Sequence, residues 1–158
     1  MKKLFLMLSV TILLIGALYT PAFGANQAVT TGVALFPYML EGEYEFIFTN
    51  NSTLCLRTGI TLFFGELTGV GVGYRWYYNS EALDGFYCGG CVDYFKFEGF
   101  DFFNPVTKSF VAGQGFWGYK KVLGDWFVFD LGLSAYAGES DGKFQVIPGV
   151  VATLGFAF

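Results

Sequence analysis

The stretch Thr53–Phe64 reads TLCLRTGITLFF. Leu54, Leu56, Thr58, Ile60, Leu62 and Phe64 fall on one side of an extended chain. Cys55, Arg57, Gly59, Thr61 and Phe63 fall on the other. One side is bulky and apolar, while the other is smaller and carries a charge. A period of two belongs to a strand, not to a helix.

Seven further segments of about ten residues repeat this alternation, the pattern of membrane-crossing strands. Before it lie residues from Gln27 to Tyr38, and Glu41 to Thr49, where Tyr44, Phe46 and Phe48 oppose Glu43, Glu45 and Ile47. Asn50-Asn51-Ser52 reads as a tight turn. After it, Val70, Val72, Tyr74, Trp76 and Tyr78 oppose Gly69, Gly71, Gly73, Arg75 and Tyr77. A fifth strand starts at Gly85 and leads into the longest connection, about Phe97 to Lys108. The sixth spans Ser109 to Lys120, and Lys121 to Asp125 reads as a turn. In the seventh, Phe127, Phe129, Leu131 and Leu133 oppose Val128, Asp130, Gly132 and Ser134. Glu139 to Lys143 reads as a polar tip. The eighth sets Val150, Ala152, Leu154, Phe156 and Phe158 against Gly149, Val151, Thr153, Gly155 and Ala157. Pro148 interrupts it, marking either the strand's outer end or a bulge.

The opening residues follow a different rule. Lys2 and Lys3 precede an uncharged run from Leu4 to Leu18, and Ala22-Phe23-Gly24 supplies small residues for a peptidase. Residues 1–24 are expected to be an export signal, leaving 25–158 as one domain of 134 residues. Seven basic residues then face thirteen acidic ones, a net charge of −6. No basic stripe remains to neutralise phosphates, so nucleic acid is excluded as a partner. The chain holds 33 aromatic residues and 22 glycines, and after the leader no apolar run is long enough for a transmembrane helix. An all-β, eight-stranded antiparallel up-and-down transmembrane barrel satisfies all of these constraints.

Each face has a distinct composition. The apolar face suits lipid, and the glycine-rich face suits a narrow, curved interior. Tyr74, Trp76, Tyr78, Trp117, Tyr119 and Trp126 cluster at one set of strand ends, as an interfacial aromatic girdle would. Glu43, Glu45, Arg57, Arg75, Asp93, Lys120 and Asp130 all point inward. Isolated buried charges cost several kcal/mol each. The expectation is therefore a salt-bridged cluster of Glu43, Glu45, Arg57 and Arg75, joined by Asp93 and Asp130, with Lys120 in it or at the rim. A closed lumen follows, with a narrow pore or small-ligand carrier as the alternative and a soluble periplasmic barrel third. Cys88-Gly-Gly-Cys91 places its thiols on opposite faces, about 10 Å apart between Cα atoms, which is too far for a disulfide. With Cys55, these read as small strand residues, not as a metal site.

Gly73-Tyr74-Arg75-Trp76, Gly118-Tyr119-Lys120-Lys121 and the closing Leu154-Gly155-Phe156-Ala157-Phe158 give the chain its family likeness. It resembles the small eight-stranded outer-membrane barrels of the OmpA-transmembrane-domain and OmpX type. The resemblance implies a diderm outer membrane with both termini periplasmic, and a monomer among outer-membrane lipids. It also implies that Phe156 and Phe158 form the signal read by the barrel-assembly machinery. The barrel enzymes of that membrane rely on a histidine, and this chain has none. Glu43 and Glu45 could pair as acid and base, but Arg57 and Arg75 beside them make ion pairing the simpler account. The reading is a non-enzyme without cofactor or metal.

Overall fold

The computed structural model describes residues 27–34, 39–61, 66–78, 81–101, 104–124, 126–140 and 143–158. The proposed export signal lies outside them. Eight strands follow in order: β1 (Gln27–Ala34), β2 (Met39–Thr49), β3 (Ser52–Thr61), β4 (Glu66–Tyr77), β5 (Gly85–Asp101), β6 (Asn104–Leu123), β7 (Phe127–Ser140) and β8 (Lys143–Ala157). Each pairs antiparallel with the next, and β1 pairs with β8, so the sheet closes into a barrel. Gln27 and Phe158 exchange backbone hydrogen bonds of 3.1 and 3.0 Å at the end where both ends of the barrel chain meet. We call this the terminal end and the opposite one the far end.

Three connections and one proline differ from the sequence expectation. The segment Phe97–Lys108 is a paired hairpin instead of a loop, in register from Gly85↔Lys120 to Asp101↔Asn104. Its polar and aromatic residues obscure the alternation, but an antiparallel partner satisfies the same backbone groups. Pro148 lies opposite Ala135 inside an unbroken register, marking neither a strand end nor a bulge. Proline is tolerated where its nitrogen points away from the neighbouring ladder. β6 also continues through Lys121 to Leu123, and β7 and β8 extend the hairpin to Ser140↔Lys143. The wall from β5 to β8 is therefore taller than the wall from β1 to β4.

The alternation resolves into inside and outside. Leu56, Val70, Val72, Val92, Leu131 and Leu133 face outward and are exposed, whereas Glu45, Arg75, Lys120 and Asp130 face inward and are buried. Backbones approach most closely at the closing seam. A Cβ on Gly155 would lie 2.6 Å from Thr30 Cα and 2.8 Å from the Val29 carbonyl carbon. On the outer wall, a Cβ on Gly115 would meet nothing within 4 Å. Gly155→Val is therefore expected to abolish the heat-dependent gel shift of the folded barrel, while Gly115→Ala retains it. Equal behaviour of the two variants would refute a seam held by close backbone approach.

Candidate functional site

Only side chains from alternate positions reach the lumen, and the neighbouring strands bring them to shared levels. Glu43 stands opposite Arg57, and Lys120 stands opposite Asp130. Arg75 is the hub. Its guanidinium holds Glu43 at 2.6 Å and Glu45 at 2.8 Å, with Asp130 at 3.5 Å. It lies 4.6 Å from the Tyr87 ring centre and 5.1 Å from that of Phe116, within cation–π range. Lys120 is fully buried, not at the rim, bonding Glu45 and lying 3.4 Å from Asp130 and 3.5 Å from Glu43. The long lysine stem carries its ammonium inward from the strand near the terminal end.

Arg57 forms a second level, 2.9 Å from Glu41 and 3.5 Å from Glu43. It also bonds Gln114 and lies 3.0 Å from Cys91 Sγ. Asp93 accepts from the Cys91 thiol at 3.0 Å. Among the described residues, four buried carboxylates, Glu41, Glu43, Glu45 and Asp130, pair with three buried cations. Asp93, expected in the same cluster, instead faces the Cys91 thiol, because Arg57 turns to Glu41 and Glu43. Neutral donors complete the network. Tyr77 donates to Glu45 at 2.7 Å, Tyr87 to Asp130 at 2.7 Å and Tyr136 to Glu41 at 3.0 Å. Thr53 bonds Glu45 as well. In a low-dielectric interior, each such bond removes part of the cost of burying a carboxylate.

Sequence reasoning omitted Glu41, Gln114 and the three tyrosines. Glu41 was legible, because it continues the period of Glu43 and Glu45. The tyrosines look like the outer aromatics until the parity of their positions is counted. Glu43, Glu45 and Cys55 offer ligand atoms within 4.8 Å of one another. Arg75 and Lys120 already engage both carboxylates, and two cations at that spot oppose a third. Cys55, Cys88 and Cys91 are free thiols, with Cys55 and Cys91 buried and Cys88 half-buried.

The aromatics singled out from the sequence face outward near the terminal end. Trp76 packs edge-on to Tyr78 with ring centres 4.9 Å apart, and Phe86 meets Trp117 and Tyr119. Trp126 stacks on Phe156 at 5.5 Å. Phe86 and Phe156 pack with these aromatics on the same outer wall.

No protein-family model and no curated protein sequence matches the chain. Five solved chains match its fold, including the following two. The N-terminal β-barrel domain of Pseudomonas aeruginosa OprF aligns with a TM-score of 0.72 at 14% identity, covering 86% of this chain and all of that one. Ail, the attachment invasion locus protein of Yersinia pestis, solved with the heparin analogue sucrose octasulfate, aligns at 0.53 and 14% identity over the same shares. The fold is thus that of the small eight-stranded outer-membrane barrels, which the closing strand and Gly-Tyr pairs implied.

Arg75→Ala leaves Glu43 and Glu45 short of their main counter-charge, and is expected to cost about 3–5 kcal/mol in urea unfolding from lipid vesicles. Lys96→Ala removes one side of an exposed pair, Lys96–Glu98 at 2.6 Å, and is expected to cost less than about 1 kcal/mol. Equal losses would show that the lumen network does not hold the barrel.

Proposed function

We propose that this chain is an integral outer-membrane barrel of structural or interaction type, whose lumen is closed by its ion-pair network. One observation carries the reading. Outward positions stay apolar from Phe86 to Tyr94 on β5 and from Val70 to Tyr78 on β4, apart from glycine and cysteine. On both strands they then turn polar at one level, where Thr68 faces Lys96 and Glu66 faces Glu98. Nine residues per crossing match the height of a tilted strand in the hydrocarbon layer, about 9–11 residues. A water-soluble barrel would have to leave this whole belt wet, well beyond the few hundred Å² of contiguous apolar surface that monomers expose.

In this reading the girdle around Trp76, Trp117 and Trp126 sits at the periplasmic interface, with both ends of the chain on that side. Lipid is the principal partner, and the protein works as a monomer delivered by the barrel-assembly machinery. The taller β5–β8 wall projects beyond the far interface, where it is available for contact outside the cell. Fractionation is expected to place the protein with outer membranes, with a heat-dependent gel shift. Recovery from the soluble periplasm without detergent would overturn the assignment.

A vestibule at the far end favours the narrow pore as a second reading, because Glu41, Arg57, Asp93 and Tyr136 line it. Planar-bilayer recording separates the two. The closed-lumen reading expects no steady conductance, and a conductance abolished by Arg57→Ala or Glu45→Ala would replace it with the pore.

A further inference from the structure

We infer that a file of bound water runs down the β7–β8–β1 side of the lumen and that Leu83 is the cork that stops it from crossing the barrel. The inference rests on the membrane-barrel reading and names what seals the side of the lumen that the ion-pair network leaves uncovered.

The ion pairs gather around strands β2 to β7, leaving hydroxyl groups on the remaining wall without partners. Thr30, Ser134 and Thr153 are each at least nine-tenths buried, and none of their hydroxyl oxygens has a hydrogen-bond partner among the described residues. The same holds for Gln114 Nε2. Such groups are costly when left bare, and in a polar site with room they bind water. The register sets them along one route. Thr153 stands opposite Asp130 on one side and Gly32 on the other, while Thr30 stands opposite Gly155. Ser134 lies four residues along β7 from Asp130, about 13 Å of strand, and the inward position between them is Gly132. Tyr136, the next inward position above Ser134, belongs to the far-end vestibule. Gly32, Gly132 and Gly155 put no side chains of their own into this route.

The terminal end is shut differently. Ala28, Val128 and Ala157 form an apolar ring there, with Ile47 and Val122 against it. Two alanines cannot fill a barrel mouth. Leu83, from the turn between β4 and β5, completes the cluster and is 1% exposed. It adopts φ 71°, a left-handed conformation that L-residues with a branched side chain rarely take. Strain of this kind persists only where the surroundings hold it. Here Ala82 donates to the Asn50 carbonyl at 2.8 Å, and Asp84 pairs with Lys121 at 2.8 Å. The turn is pinned on both sides of Leu83, and its side chain is pressed into the mouth.

Protein reconstituted in lipid vesicles with an entrapped pH dye tests this. The wild type should pass protons no faster than empty vesicles. Leu83→Gly removes the cork and relieves the strained backbone, and should raise the proton leak severalfold with the gel shift intact. Adding Ser134→Ala and Thr153→Val should return the leak to the wild-type level. A tight Leu83→Gly barrel, or a leak indifferent to the two added substitutions, overturns the inference. Water-to-protein magnetisation transfer in the wild type provides a check independent of the variants. Signals at Thr30, Ser134 and Thr153 are expected, and their absence would overturn the water file. Vesicle flotation and the gel shift report separately on the membrane reading.

Discussion

Closure of β1 on β8 is the constraint on which everything else depends. A sheet edge exposed in lipid leaves backbone donors and acceptors with nothing to bind, so a membrane strand must have a partner on each side. Seven residue pairs, from Ala28↔Ala157 to Ala34↔Val151, complete the circuit. The backbones meet so closely there that Gly32 and Gly155 have no space for a side chain. Glycine at the seam is therefore a packing requirement.

Closing eight strands creates a narrow interior, and that interior controls the chemistry. Charges inside it are cut off from bulk solvent, so Arg75, Arg57 and Lys120 each serve several carboxylates. Tyrosine hydroxyls supply the bonds that the cations do not. The outer wall obeys the opposite rule, with aliphatic residues over the middle and aromatics at the terminal end. With apolar side chains outside and charges inside, the molecule is turned inside out relative to a soluble barrel.

The turns carry more structure than their composition suggests. The segment before Gly85 carries two acidic residues, Glu81 and Asp84, yet it delivers Leu83 into the barrel mouth. The aromatic segment after Phe97 reads as a loop, yet it pairs as a hairpin as far as Asp101↔Asn104. In both cases a local signal was overridden by a partner distant in sequence or by a cavity that only closure creates.

By itself, the sequence determined the strand count, the antiparallel order and the inward or outward direction of nearly every side chain. All of these follow from a period of two, which is local and survives in a single strand. Which inward groups meet was decided by tertiary structure alone. Lys120 bonds Glu45 across 75 residues, and Arg57 turns to Glu41 as well as Glu43. Those contacts depend on stagger between strands and on side-chain reach across a closed lumen. Neither quantity is written in any one strand, because both arise only when the eighth strand meets the first.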